Sequence, residues 1–423
     1  MTATAVLFGS FAILLLLSVP IGIAIGLATL VTIFYSGSMP LEFLAKELVT
    51  SVDSFPLMAV PFFILAGEIM GKGGISQRLF GVAGALVGNK TGGFAIATII
   101  TCMFFAAISG SGPATVAAIG GVMIPAMVQQ GYDRRFATAT VAAAGSIGII
   151  IPPSIPMVMF GVTASVSIGD LFISGIIPGI LVGVAMMIWA WYYSKKMGYK
   201  GLDEKTSLKN IGKAIWDAKW ALLIPIIILG GIYGGIFTPT EAAVIAVVYG
   251  LFVAVVIYRE LPLKELPKVI YDSALTTSTV LIIVGAANAF GRLLTLEQIP
   301  NKIANGLINI SDNPIVIILL ITALLLVVGM FMDPLAAIII LTPILLPIVV
   351  QVGYDPVHFG VLMIINLAIG YFTPPVGVNL FVGSSISGVS MGPLSKAVLP
   401  YIGTMLIVLL LVTFLPQIVL LFV

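Results

Sequence analysis

An internal repeat of interrupted apolar segments constrains this chain more than any other feature. Residues 109–154 read SGSGPATVAAIGGVMIPAMVQQGYDRRFATATVAAAGSIGIIIPPS, and residues 332–376 read MDPLAAIIILTPILLPIVVQVGYDPVHFGVLMIINLAIGYFTPPV. A shift of 222 residues lays Pro125 on Pro347, Gly131-Tyr132-Asp133 on Gly353-Tyr354-Asp355, Gly148 on Gly370 and Pro152-Pro153 on Pro374-Pro375 without a gap. Gly161 then meets Gly383, and Pro178 meets Pro400. Apolar segments broken by Gly, Ser and Pro at matching places point to a two-repeat membrane architecture with ligand sites at the breaks.

Composition places the repeat in a bilayer. Of 423 residues, 60% are hydrophobic and 9% charged, against about 25% charged in soluble domains. Runs such as 171–192 and 398–423 pass the roughly 18–20 apolar residues that span a membrane. The apolar N-terminus lacks a basic flank and a cleavage-like site, so a retained membrane segment is expected rather than a signal peptide. Cys102 is the single cysteine, so no intrachain disulfide can form, and its apolar run predicts an inert buried thiol. A net charge of +2 gives no reason to expect a nucleic-acid partner. Without a Walker motif, a metal-ligand cluster or a nucleophile–His arrangement, neither an ATPase nor another enzyme is expected.

The expected fold is an all-α polytopic membrane protein with two inverted-topology repeats. Each repeat holds a re-entrant helical hairpin and a broken transmembrane helix. Half-spans at 94–108 and 113–128 flank a break at 109–112. Fifteen residues reach only about 22 Å, short of the roughly 30 Å hydrocarbon core, which predicts a hairpin. The second hairpin has legs at 315–330 and 334–350, and broken helices are expected at 134–164 and 356–385. The chain then divides into N-terminal scaffold spans with a first arm helix (1–92), a first transport repeat (93–169) and scaffold spans with a polar loop at 194–219 (170–295). A second arm helix (296–313), a second transport repeat (314–390) and a last scaffold span (391–423) complete it. Residues 3–34, with Pro20 and Gly22 inside, fit one kinked helix or two short ones.

Charge orients this layout. The segment 195–219 holds seven Lys against three acids and is therefore cytoplasmic by the positive-inside rule. With the first hairpin entering from the cytoplasm and the second from the periplasm, sixteen of the nineteen Lys and Arg face inward. Only Lys46, Arg292 and Lys302 then face outward, with the side of Lys46 depending on the N-terminal span count.

Broken backbone inside lipid leaves N–H and C=O groups unpaired, so it persists only inside protein or beside a polar cavity. Freed carbonyls suit Na⁺, and half-helix N-termini favour an anion. Ser109 and Ser111 at the first tip would face Gly145, Ser146 and Gly148, and Asp333 at the second would face Gly370 and Thr373, giving two cation cages. Between them lies a space lined by Ser111, Ser154, Asp333, Pro153 and Pro375, the expected substrate contacts. Asp333 is the one carboxylate in a core break; it can cap the helix that follows, meet a cation or substrate, or both. Asp133 and Asp355 sit at loop ends and read as caps. Glu68, one turn before Lys72, reads as an interfacial acid, and His358 as a residue near the outer surface.

On the stretches SGSGPATVAAIGG, GYDRRFATAT, GSIGIIIPPSIPMVMFG, TPTEAA, GMFMDPLAAIIILTPILLPI and FTPPVGVNL, the chain resembles the large membrane subunit of tripartite ATP-independent periplasmic (TRAP) transporters. The resemblance runs the full length. It implies an elevator-type, Na⁺-driven importer of carboxylates, such as C4-dicarboxylates, sialic acid or related sugar acids, in the bacterial inner membrane. It also implies a small four-helix membrane subunit and a periplasmic substrate-binding protein as partners, besides membrane lipid. Similarity to sodium–carboxylate symporters carries the Na⁺ roles onto Ser109, Ser111, Gly145 and Ser146, and onto Asp333, Gly370 and Thr373. The competing readings are a stand-alone Na⁺- or H⁺-coupled organic-anion carrier of the same architecture, and a channel.

Overall fold

The structure, a computed structural model, describes residues 2–37, 39–87, 90–201, 207–300, 302–303 and 313–423. Every regular element among them is helical, and eight helices are long and apolar enough to cross a membrane.

The first hairpin consists of Gly93–Ser109 and Gly112–Gln129, turning at Gly110 and Ser111. At 17 and 18 residues the legs reach only about 26 Å. Both ends of the hairpin rest on the same end of the long helix Ile168–Met197. A Cβ on Gly92 would strike Ser194, and the Asp133 amide donates to the Tyr199 hydroxyl at 3.1 Å. The hairpin therefore enters and leaves on one side. It closes with Gly131 at φ +84°, where a side chain would be strained, and the Tyr132 amide reaches back to the Met127 carbonyl at 3.1 Å. Gly353, at φ +89°, and Tyr354, bonded to Val349, repeat this stop in the second hairpin. Asp133 then accepts from the Arg135 and Phe136 amides, and Asp355 from those of Val357 and His358, so both cap the broken helices as their position predicts.

The second hairpin comprises Pro314–Phe331 and Pro334–Gln351. The broken helices are Arg134–Gly145 with Ile155–Ala164, and Pro356–Gly370 with Val378–Ser387. The last span, Met391–Phe414, acts as a ruler for their directions. Its Tyr401 bonds Thr140 at 2.7 Å, its Met405 sulfur meets the Ser146 hydroxyl at 3.6 Å, and its Val412 carbonyl meets His358 Nε2 at 2.8 Å. The two broken helices thus run toward each other from opposite faces, which is the inversion expected from charge. His358 itself is buried, its ring held by that carbonyl.

The scaffold is built on Leu266–Leu296, 31 residues long. The N-terminal region forms two short helices, Ala3–Leu16 and Ile21–Ser36. Both lie on the outer half of the long scaffold helix, where Phe8 and Phe11 pack on Phe290 and Gly22 packs on Ile283. The amphipathic helix Glu42–Thr50 touches that same half through Leu48 on Gly285, which puts Lys46 on the side that the charge pattern assigns to the outside. The first arm, Ile75–Val87, bends 68° from the preceding helical segment Pro56–Lys72. The second arm, expected at 296–313, lies for the most part outside the described residues.

One expected boundary changes. The polar segment 195–219 is not one loop. The helix Ile168–Met197 runs through Lys195 and Lys196, and Leu208–Tyr233 starts from a Ser207 cap. Lys219 lies over the Trp216 ring at 3.4 Å, so aromatic surface carries this charged helix across the interface. The last span starts at Met391, at the expected boundary, and carries Lys396 in its second turn ahead of its continuous apolar run.

Candidate functional site

The two hairpin tips open on one cavity of about 550 Å³. Ser109, Ser111, Asp333 and Tyr371 line its transport wall, and Gly67, Glu68, Thr276 and Thr279 belong to its scaffold wall. Glu68, read from sequence as interfacial, therefore faces this cavity; Lys72 lies 3.6 Å from it and 3.2 Å from Asp272. Two carboxylates line the cavity, and no Lys or Arg does among the described residues.

The first tip is tied together by hydroxyls. Ser109 Oγ lies 3.0 Å from Thr115 Oγ1, and Thr115 donates to the Ser111 carbonyl at 2.7 Å. Ser111 Oγ accepts from the Ala114 amide at 3.5 Å, capping the outgoing leg. Gly148 packs so close that a Cβ there would lie 2.6 Å from the Ser111 carbonyl and 2.7 Å from Thr115 Oγ1. The structure thus brings Ser109, Ser111 and Gly148 together, and it adds Thr115, which sequence reasoning missed. Gly145 sits against the Gly112 carbonyl. Ser146 turns its hydroxyl back to the Ala143 carbonyl at 2.7 Å. Ser154 is fully buried and donates to the Ile149 carbonyl at 2.7 Å, so it stands behind the cavity wall rather than on it. The Pro153 carbonyl lies against Gly110 at the tip, and the Ile155 amide donates to the Gly110 carbonyl at 3.3 Å, stitching the half-helix to the hairpin. Neither Pro153 nor Pro375 lines the cavity.

At the second tip, Asp333 Oδ1 accepts from the Leu335 amide at 2.9 Å and Oδ2 from the Tyr371 hydroxyl at 3.2 Å. Asp333 is therefore a cap and a cavity group at once. Gly370 packs directly on the Gly329 backbone, and Thr373 donates to the Ile369 carbonyl at 2.6 Å. Asn379 links the repeats: its Nδ2 donates to the Ala142 carbonyl at 3.0 Å, while its buried Oδ1, beside Gly112, has no hydrogen-bond partner among the described residues. Hydroxyls, the Asp333 carboxylate and the unmet Asn379 amide oxygen are hard oxygen donors of the kind an alkali cation accepts. Tyr371 and Asn379 are polar positions inside broken apolar helices. That signal is visible in sequence, although their partners are not.

Inverted repeats, re-entrant hairpins and a largely apolar cavity with a few polar and acidic groups at their tips define an integral membrane transport protein. Residues 8–418 match the family described as the tripartite ATP-independent periplasmic transporter, DctM component. The chain belongs to that family, the large permease component, and is a multi-pass inner-membrane transporter subunit rather than an enzyme. It is 54% identical over 98% of its length to the isethionate TRAP transporter permease protein DctMQ of Oleidesulfovibrio alaskensis, and it spans 65% of that relative's length. It is 39% identical to the C4-dicarboxylate large permease DctM of Rhodobacter capsulatus, covering 98% of this chain and 97% of that one. The sialic acid large permease SiaM of Vibrio cholerae is also 39% identical, over 96% and 94%. Among solved structures, the YdaH transporter of Alcanivorax borkumensis shares the fold at a TM-score of 0.62 and 16% identity, over 89% of both chains.

Proposed function

We propose that this chain imports an organic acid by Na⁺ symport, the two hairpins and two broken helices moving as a block against the scaffold. The supporting observation is the charge of the central cavity. An anion there would face Asp333, and Glu68 with its Lys72 partner, with no cation lining the cavity itself. At about 5 Å and an effective dielectric of about 20, like charges repel by roughly 3 kcal/mol. Cations bound at the tips remove that penalty, so Na⁺ and the organic anion load together. The oxygen-rich tips, Ser109, Ser111, Thr115 and Gly148 on one side and Asp333 and Gly370 on the other, are the groups for that task. Excess Na⁺ also couples import to the membrane potential, at about 2.3 kcal/mol per charge per 100 mV.

The partners follow from family membership: a small membrane subunit and a periplasmic protein that delivers the substrate. The isethionate relative, whose name joins M and Q, has the extra length expected of a chain carrying a second subunit. The relatives' named substrates are all acids, and the 54% identity places isethionate first to try, followed by C4-dicarboxylates and sialic acid. The test is uptake into proteoliposomes holding this chain and its small partner, with loaded binding protein outside. Uptake that needs both an inward Na⁺ gradient and the binding protein is expected. Uptake of free substrate, or uptake indifferent to Na⁺, sinks the proposal.

A further inference from the structure

A second cavity, of about 440 Å³, opens between the same two blocks, toward the outer end of the scaffold helix Leu266–Leu296. Asn288, Arg292 and Thr295 of that helix line it, facing Thr163 at the end of the first broken helix and Pro343 of the second hairpin, with Phe43 at its edge. Its charge is opposite to that of the central cavity. Arg292 is exposed and has no ion-pair partner among the described residues, and no Asp or Glu lines the space. The Thr295 hydroxyl donates to the Gly291 carbonyl at 2.9 Å, and the Asn288 amide to the Val284 carbonyl at 3.0 Å. The guanidinium is thus the one lining group able to meet an anion with charge-assisted hydrogen bonds.

We propose that this cavity is an outer docking site for the acid group of an organic anion, carboxylate or sulfonate, with Arg292 as the anion-binding group. The proposal rests on the importer reading and refines it. The anion first meets Arg292 on the outer side and then moves to a cavity that holds it only while cations are bound. One interface therefore carries a positive outer cavity and a negative central one. Once Na⁺ leaves on the inside, the uncompensated Asp333 expels the anion. The same guanidinium could instead hold a lipid phosphate, and the test separates the two sources.

Cys102 is buried and is this chain's only cysteine, so with any reactive cysteines of the partner subunits replaced a single new thiol can be read cleanly. In membranes holding the whole transporter, Thr163→Cys is labelled with a sulfonate-bearing and with an ammonium-bearing thiosulfonate reagent of similar size. The anionic reagent is expected to react about tenfold faster relative to the cationic one than it does with a free thiol, and Arg292→Gln is expected to abolish that bias. Free organic acid at millimolar concentration should slow labelling with Arg292 present and not with Gln. Arg292→Lys, which keeps the charge should Gln disturb folding, should retain the bias. Equal rates for both reagents, or a bias that survives Arg292→Gln, overturn the proposal. So does protection that appears with anionic phospholipid in the vesicles but not with organic acid, because it assigns Arg292 to a headgroup. The labelling bias needs no transport, so failure of the importer reading shows separately in the uptake assay.

Discussion

Ser111 and Asp333 lie 222 residues apart at the same position of the two repeats, and both face the same cavity. Each caps the outgoing leg of its hairpin, Ser111 through the Ala114 amide and Asp333 through the Leu335 amide. The fold treats them alike; the chemistry does not. One supplies a neutral hydroxyl and the other a carboxylate. The two tips therefore make unequal sites, and the negative charge at the cavity's transport wall belongs to the second repeat.

This asymmetry makes Asp333→Asn the decisive substitution. Asn caps a helix about as well as Asp, so folding should change by less than about 1 kcal/mol. The charge is removed, so the Na⁺ concentration for half-maximal uptake should rise at least roughly tenfold, or uptake should vanish. Proteoliposome uptake against Na⁺ concentration reads this directly. Normal Na⁺ dependence in the variant would leave Asp333 as a cap and nothing more.

Tyr371→Phe asks what holds that carboxylate. The Tyr371 hydroxyl donates to Asp333 Oδ2 at 3.2 Å, and a hydrogen bond to a charged group contributes about 1.5–3 kcal/mol. The variant should melt lower than wild type without Na⁺. Saturating Na⁺ should close much of the gap, because the cation satisfies the oxygen that Tyr371 has left; K⁺ should not. Thermal unfolding of the purified transporter with each salt checks both statements. An equal gap with and without Na⁺ would mean that no cation reaches Asp333.

The sequence exposes what is local and hides what depends on facing. Gly, Ser and Pro at fixed spacing interrupt apolar runs, so both hairpins, both breaks and the capping roles of Asp133 and Asp355 are legible in the order of residues. Inversion is legible too, because Lys and Arg record which side each loop occupies. Thr115 could not be assigned, since its contact with Ser109 depends on helical phase around the tip. Glu68 reads as interfacial from its Lys72 neighbour alone; its place on the cavity wall follows only from how the scaffold helix packs beside Ser109. Asn379 corresponds to Met157 in the other copy, so the repeat breaks down at one of the contacts joining its two halves.

The glycines at the breaks separate packing from propensity. A Cβ on Gly370 would enter the Gly329 backbone, which has no flexible end to give way. Gly370→Ala should therefore cost at least about 1–3 kcal/mol, as overpacking does, and should lower the yield of folded transporter. Gly121 lies exposed in the helix Gly112–Gln129, and a Cβ there would meet nothing within 4 Å. Gly121→Ala should therefore be neutral or stabilise by about 0.5–1 kcal/mol. Detergent melting curves for the pair give the comparison, and equal losses would contradict it.

The first arm is fastened at its bend. Arg78 donates to Glu260 Oε1 at 2.7 Å and to the Gly74 carbonyl at 2.8 Å, and its guanidinium lies 3.7 Å from the centroid of the Tyr258 ring. The ion pair is partly exposed and should contribute only about 0.2–1 kcal/mol; stacking on Tyr258 adds about 0.5–1 kcal/mol. Arg78→Ala should thus cost about 1–2 kcal/mol in thermal unfolding. Lys at 78 keeps the charge but loses the flat face and forked donors, so Arg78→Lys should recover only the ionic part. On the proposed movement of the block against the scaffold, the arms must bend, so Arg78→Ala should change the uptake rate more than the Na⁺ concentration for half-maximal uptake. A shift in Na⁺ dependence with an unchanged rate would place Arg78 in the cation site's energetics and remove it from the hinge.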